Sequence, residues 1–348
     1  MENAMGISRA LRLCAIASLV LLTACTPIKR FGANQSLRFM ENNLVGPMLE
    51  SHDADMACYS GASVAPLIQS TSGMGADNQQ LLTLLYLTAA TCAEQTAFEQ
   101  ELRYLRASRS KQVEEAQDAR ITQKRYAELA ARRQYQSYRN FANYYEQRFD
   151  IRIGDSCPTF DQDIDELIYL LGLIQGLQAI QNDINSQNAV GVPKDIAAKT
   201  ERAMTCLDNE KWWGAPMAAR ALVWNMLPGS GEGHNPWQVL EQSRQIGERR
   251  GVRLAHALYV ISATAKNDEQ HLRSALRAFG STQAANSSFT LNESYAQVDA
   301  ISSSTVMNNA DRYWTTNAGT RTPIGGLLRF WDEKQQPVDT GIEIDDLL

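Results

Sequence analysis

Cysteines are the side chains with the most distinctive chemistry in this 348-residue chain, which contains six of them. A thiol can form a disulfide, bind a metal or carry a covalent modification, and its sequence neighbours help to separate these roles. Cys25 follows Leu22-Thr23-Ala24 at the end of a short apolar run. Small residues before a cysteine suit the extended conformation in which a peptidase binds its substrate. The position therefore favours cleavage of the chain and modification of the thiol.

The N-terminal segment has the organisation of an export signal. Arg9 and Arg12 precede an apolar run over 13–22. About ten residues are too few to span a bilayer as a helix, but they match the apolar region of a signal peptide. Together with Cys25, the segment resembles the lipobox of bacterial lipoproteins, which implies removal of residues 1–24 and a lipid on the cysteine. The alternative is an ordinary secretory signal followed by an incidental cysteine.

A lipid on Cys25 predicts where the protein resides. One acyl chain anchors a protein weakly, whereas several acyl chains anchor it firmly to a membrane. Thr26 follows the cysteine where an aspartate would act as a retention signal in the bacterial sorting pattern that this segment resembles, and this favours the outer membrane. We therefore expect residues 25–35 to form a tether at the outer membrane, with the body of the protein in the periplasm.

Four further cysteines are expected to pair, because an exported protein meets an oxidising compartment. They are Cys58, Cys92, Cys157 and Cys206, and they allow three connectivities. We favour Cys58–Cys92, since both residues lie 17 positions from Gly75, the centre of the predicted turn between two antiparallel helices. Cys157–Cys206 is then the remaining pair. Buried free thiols are the alternative.

Composition and motifs argue against several function classes. A net charge of −6 and a pI near 5.4 oppose nucleic-acid binding, which needs a basic surface. The sequence has no Gly-rich phosphate loop and no Gly-x-Ser-x-Gly elbow. We predict no metal and no cofactor, because the four histidines are scattered without metal-ligand spacing: His52, His234, His256 and His271.

Two carboxylate pairs have a spacing that general acid–base catalysis can use, namely Asp163 with Glu166 and Asp165 with Glu166. A general acid also needs a pocket that raises its pKa, and carboxylates on a helix are more often solvated or capping groups. An envelope hydrolase is therefore the least favoured interpretation. We predict that the protein is not an enzyme and has no catalytic residue.

Apolar periodicity indicates helices along the whole mature chain. The helix over 79–106 has apolar residues on every side, which is typical of a helix surrounded by other helices. No strand pattern appears, so we predict an all-α fold of stacked antiparallel helical hairpins, like a tetratricopeptide array, over residues 36–314. Residues 315–348 are predicted to form an extended or partly disordered tail. The predicted helices cover 36–50, 55–71, 79–106, 109–149, 161–184, 192–207, 215–226, 235–249, 252–265, 268–280 and 294–313.

The order of these segments resembles the T-component lipoproteins associated with TRAP transporters, often called TatT-like. The resemblance covers about 36–314. Two features of this sequence are not part of the family pattern, namely the four cysteines and the additional tail. Within that range, an acidic connector with paired aromatics leads into an alanine-rich helix. The matching segments are Asp53–Ile68, Asn78–Tyr86, Leu207–Trp224, Trp237–Phe279 and Val306–Arg312.

The resemblance implies a non-catalytic helical scaffold that associates with the periplasmic solute-binding protein of a TRAP transporter. It also implies a trimer with a central pore, and a small apolar or organic-acid ligand held in a cavity. The alternative function is that of a structural or pilotin-like assembly factor at the outer membrane. Neighbouring genes distinguish the two, since TRAP permease genes favour the first function and secretion or surface-polymer genes favour the second.

Three residues are candidate contacts for a ligand or partner. Trp212 and Trp213 lie in a predicted connector, where exposed aromatic rings can contact another molecule. Arg220 lies on the helix that follows and can bind a carboxylate. The alternatives are a hydrophobic plug between helices for the two tryptophans, which we favour, and a surface salt bridge for the arginine.

Overall fold

The computed structural model describes residues 29–41 and 43–333. Within these ranges the chain forms eleven α-helices and no β-strand, which confirms the all-α prediction. The predicted signal over 1–24, Cys25 and residues 334–348 lie outside the described residues. The helices are 29–41 with 43–49 (α1), Ala54–Ser70 (α2), Gln79–Arg109 (α3), Val113–Phe149 (α4), Asp163–Asn185 (α5), Ile196–Ala203 (α6), Ala215–Met226 (α7), Pro236–Arg250 (α8), Leu254–Lys266 (α9), Glu269–Thr282 (α10) and Ala296–Ala318 (α11).

Local sequence signals set several helix ends. Asp53 begins α2, where its Oδ1 accepts a hydrogen bond of 2.8 Å from the Met56 amide. Asp268 begins α10 in the same way, with a bond of 3.0 Å from the amide of residue 271. Gly251 ends α8 with φ of +78°, and a side chain there would collide with the carbonyl of Thr290. Capping side chains and glycines in the left-handed backbone conformation thus define short connections between successive helices.

α3 is the central helix of the first half. α2, α4, α5 and α11 all pack against it. Its apolar positions face several neighbours at once, as the sequence predicted, and each of the following is buried: Leu81, Leu82, Leu84, Leu85 and Leu87. None of the described helices combines the length and apolarity needed to cross a membrane.

An aromatic cluster holds α4 against α5. The rings of Tyr145 and Phe141 lie 5.2 Å and 5.3 Å from the ring of Tyr169, in tilted or edge contacts that aromatic pairs favour. Gly172 and Gly176 allow this approach, because a Cβ at Gly172 would overlap the ring of Phe141. The two glycines are therefore positions at which α5 packs closely on its neighbouring helices.

α11 returns to α3 and closes the array. It packs on α9 and α3, with a weaker contact to α2. Asn308 donates to the side-chain oxygen of Gln95 at 3.0 Å, and Arg312 forms an ion pair of 2.7 Å with Glu101. The helices therefore surround a central space instead of extending as an open row.

Both predicted domain ends need correction. Residues 29–35 are helical, so the predicted tether over 25–35 overlaps α1, which Leu37 and Val45 anchor in the core. The predicted tail from 315 first continues α11 to Ala318 and then folds back on the body. Phe330 is buried there, because aromatic side chains stabilise a segment that has no helical periodicity.

Both favoured disulfides are present. Cys58–Cys92 joins α2 to α3 with a Cα–Cα distance of 5.4 Å. Cys157–Cys206 joins the loop after α4 to the 3-10 turn after α6, with a Cα–Cα distance of 5.3 Å. The symmetry of the α2–α3 hairpin about Gly75 accounts for the first pair, and the second pair follows from it.

Removal of the second disulfide is expected to destabilise the fold. The Cys157→Ser/Cys206→Ser variant loses a cross-link across 49 residues, which restricts the unfolded chain. We expect a loss of about 2–4 kcal/mol in the free energy of unfolding, measured by urea denaturation. The wild-type protein under non-reducing conditions is the control. An unchanged unfolding midpoint would contradict the expectation.

Candidate functional site

The two candidate tryptophans lie in the core. Trp212 is 1% exposed and Trp213 is 2% exposed. Their rings form an edge contact with one another, and Trp213 lies 4.7 Å from the ring of Tyr295. Trp213 has φ of +56° and precedes Gly214 at +76°, so the connector turns sharply at this point. The geometry matches the hydrophobic plug, the alternative favoured from the sequence, and in this structure the two indoles are not exposed to a ligand or partner.

Arg220 is engaged within the protein. Its Nε donates to Glu201 at 3.0 Å, and its guanidinium lies 5.0 Å from the ring centroid of Trp224. The same carboxylate accepts a hydrogen bond from the indole of Trp224 at 3.0 Å. This is the salt-bridge alternative, with an aromatic partner added. A ligand carboxylate would have to displace Glu201 to reach the guanidinium.

The carboxylate pairs on α5 are structural ion pairs. Asp165 and Glu166 are buried, which differs from the expectation of solvated groups. Asp165 contacts Arg148 at 3.1 Å, and Glu166 pairs with Lys211. Lys211 also binds Asp163 at 2.8 Å. These carboxylates therefore link α5 to α4 and to the connector before α7.

The strongest candidate site is the central space that the helices surround. It has a volume of about 450 Å³, within the usual range for small-molecule pockets. α3, α4, α5, α7, α9 and α11 all contribute to its wall. The apolar part of the wall includes Phe98, Ile174, Leu177, Leu222, Leu258 and Ile261. The polar part includes Glu94, Gln123, Gln178, Asn182, Thr264, Thr305 and Asn308.

Glu94 lies at the polar centre of this wall. Its side chain lines the cavity and is partly buried, and its Oε1 accepts a hydrogen bond of 2.6 Å from Asn182. Asn182 also donates to the side-chain oxygen of Gln134 at 2.9 Å. Burial raises the pKa of Glu94 above its ordinary value, and the hydrogen bonds from these two amides offset only part of that effect. A neutral carboxyl here supplies one hydrogen-bond donor to the cavity.

One further donor in this wall, the hydroxyl of Thr264, has no partner among the described residues. Buried polar groups are nearly always hydrogen-bonded. Donors that protein groups leave unpaired at a cavity favour a ligand with oxygen acceptors.

Positive charge lies at the edge of the cavity. Arg120 lines it and is exposed to solvent, and its guanidinium contacts Gln123 and the face of Tyr104 instead of a described carboxylate. The other lining guanidinium, that of Arg312, is neutralised by Glu101. Arg120 is thus the group at the rim that attracts an anion. No cluster of three or more metal-binding side chains occurs in residues 29–41 and 43–333.

A second cavity, of about 670 Å³, lies between α1, α3, α4 and α5, but its charged groups face each other. Arg148 pairs with Asp165 at 3.1 Å. Burial, followed by the nearby Asp77, raises the pKa of Glu41 to about 7. Aliphatic side chains such as Leu81, Leu84 and Ile168 also line this cavity, but the ion pair of Arg148 and Asp165 occupies its charged groups.

Sequence reasoning did not identify the residues of the central cavity, because they come from six helices. One signal was present: Glu94 is a carboxylate in a helix whose preceding turns are apolar on every side. A charged side chain at such a position must be paired, protonated or placed at an internal space. The amides that face it are distant in the chain and carry no local pattern.

Glu94→Gln is expected to change how stability depends on pH. Because the native pKa is raised, the native state holds a proton that the unfolded state releases above about 4.5. Wild-type stability should therefore fall as the pH rises above that value until Glu94 ionises in the native state, and the glutamine variant should lose this part of the slope. Urea unfolding from pH 5 to pH 8 measures the difference.

Glu99→Gln is the matched control, since Glu99 lies on the same helix, is partly exposed and pairs with Arg321. Parallel pH profiles for wild type and Glu94→Gln would show that Glu94 is already ionised in the folded protein.

Comparisons with known proteins gave no match to a family model, to a curated protein or to a solved structure. The function proposed below is therefore supported by the chain's own residues and by the sequence resemblance described above.

Proposed function

We propose that this chain is an outer-membrane lipoprotein, anchored through Cys25, whose helical body holds a small organic molecule in the periplasm and acts with a solute-binding protein of a TRAP transporter. Its role is binding and presentation, without catalysis. The single observation that carries ligand binding is the central cavity, whose wall combines apolar side chains with polar ones such as Glu94, Asn182 and Thr264. The anchor is supported by the lipobox-like segment and by disulfides that need an oxidising compartment.

The chemistry of the wall defines the class of ligand. Phe98, Ile174 and Leu177 offer apolar surface for a hydrocarbon body. The unpaired hydroxyl of Thr264 can donate to an oxygen acceptor, and burial raises the pKa of Glu94, which favours the protonated carboxyl that can donate as well. Arg120 at the rim attracts a negative charge. Together these features favour a small monocarboxylic acid with an apolar chain.

The partner follows from the resemblance to T-component lipoproteins, and so does a trimeric assembly. A helical array presents broad surfaces on which a second protein can bind. The competing function, a structural or pilotin-like assembly factor, shares the anchor and the fold but does not need a ligand cavity. The cavity therefore favours the first function.

A cavity-filling variant tests ligand binding. Straight-chain monocarboxylic acids and the matched alcohols are the probes, and thermal unfolding is the measurement. A ligand at about 100 times its Kd stabilises the native state by about 2.7 kcal/mol, so the wild-type Tm should rise with the acids. Leu177→Trp places an indole in the cavity and should abolish the rise.

Ile184→Trp is the matched control, because Ile184 lies on the same helix but is 49% exposed. It should respond like wild type. Equal Tm shifts in Leu177→Trp and wild type would place any binding elsewhere, and no shift with any acid would remove the proposed ligand class.

Affinity capture from envelopes tests the partner. The tagged full-length protein, extracted in mild detergent from cells that produce it naturally, should recover a periplasmic solute-binding protein. Mass spectrometry identifies the bound proteins, and an unrelated tagged lipoprotein is the control. Recovery of secretion or surface-polymer components instead would favour the assembly-factor function, and recovery of no envelope protein would count against both.

A further inference from the structure

Seven large apolar side chains are exposed on α1, α2 and the turn before α3, and we call six of them, all except Leu44, the N-terminal apolar surface. On α1, Phe31 and Phe39 are 66% and 65% exposed and, eight residues apart, lie on one side of the helix. On α2 the spacing also places the exposed residues along one stripe. The remaining members are Met56, Tyr59, Leu67 and Met74, exposed by 61%, 70%, 68% and 45%.

Most of α2 and the turn that follows it also lack charge. Residues 56–76 contain no Asp, Glu, Lys, Arg or His. α2 packs on α3 and α11, its buried side holds Ala57, Ala65 and Ile68, and its outer side leaves Met56, Tyr59 and Leu67 exposed. The terminal helix of an array normally needs a polar outer face for solubility. An uncharged, apolar outer face is typical of a surface that another apolar phase covers.

α1 and the α2–α3 turn lie side by side. The side chain of Arg30 lies 3.6 Å from the position that a Cβ would occupy at Gly75. Asn34 accepts a hydrogen bond of 3.0 Å from the amide of Asp77. The first turns of α1 are therefore next to Met74. Phe31 and Met74 belong to the same end of the molecule.

Cys25 lies four residues before Lys29, the first described residue of α1. Four extended residues span at most about 14 Å, so a lipid on Cys25 holds the first turn of α1 within that distance of the bilayer. Lys29 and Arg30, at the start of α1, suit the anionic head groups of phospholipids. We propose that the N-terminal apolar surface is a second membrane contact, which lies on the phospholipid bilayer beside the anchor and fixes the orientation of the body.

This inference rests on the lipid anchor of the proposed function. Tyr59 suits the role because its ring is apolar and its hydroxyl is polar, as at a membrane interface. The opposite end of α3 is far away, since 31 helical residues extend about 46 Å. The α3–α4 turn, with Val113 65% exposed, therefore provides a control surface outside the proposed contact.

Methionine oxidation reports the contact without a label. The acylated full-length protein is reconstituted in vesicles of phosphatidylethanolamine and phosphatidylglycerol and treated with dilute peroxide, and mass spectrometry follows each peptide. Met56 and Met74 are both more exposed than Met226 at 39%. They should nevertheless oxidise severalfold more slowly than Met226 in vesicles. Equal or faster oxidation of Met56 and Met74 would overturn the proposal.

Charged variants test the cause of the protection. Phe31→Glu/Phe39→Glu should keep the anchor but bring the oxidation rates of Met56 and Met74 up to that of Met226, whereas Val113→Glu/Ile121→Glu should keep the protection. Thermal unfolding checks that each variant is folded. Protection that increases with protein density at constant lipid would show that a second copy of the chain covers this surface, and it would overturn the bilayer as occupant.

The mass of the N-terminal peptide separates the two proposals. A peptide without acyl chains contradicts the anchor itself, whatever the oxidation rates are. An acylated peptide with unprotected methionines leaves the anchor intact and contradicts only the second membrane contact.

Discussion

The fold depends on covering α3, a helix that has no polar side over its first half. Each buried leucine of this helix contributes about 1.5–3 kcal/mol only if neighbouring helices exclude water from it. α2, α4 and α5 cover most of its circumference, and α11 covers the remainder after some two hundred intervening residues. The chain must therefore return to its own beginning. The central cavity lies where the returning helix and the second half of α3 face α5, α7 and α9.

The change in composition along α3 separates core from cavity. Up to Ala93 the helix carries leucine, alanine and threonine, and it packs tightly on all sides. From Glu94 onward carboxylates and amides appear, and they meet polar groups of α5 and α11, such as Asn182 and Arg312. The same helix thus stabilises the body through its first half and supplies the polar groups of the proposed ligand site through its second half.

The helices, the turn at Gly75 and the disulfide that this turn places between α2 and α3 could be predicted from the sequence, because each depends on local spacing. For Trp212 and Trp213 the sequence left both a ligand contact and a hydrophobic plug open. Their inward orientation depends on a positive φ at Trp213, which apolar periodicity does not reveal. Nor did it predict the fold-back of residues 319–333, where Phe330 packs without any repeating pattern. The cavity needed the three-dimensional structure, since no single helix contains enough of its wall.

The contacts between α3 and α11 differ in kind from the other contacts around the cavity. Asn308 with Gln95 and Arg312 with Glu101 are polar contacts, which exchange protein partners for water with a small net change in free energy. Separating α3 from α4 would instead expose a long apolar interface. Separation of α11 from α3 alone, with α11 still packed on α9, would therefore break these polar contacts first. Salt screens the ion pair, so this seam of the ring weakens as ionic strength rises.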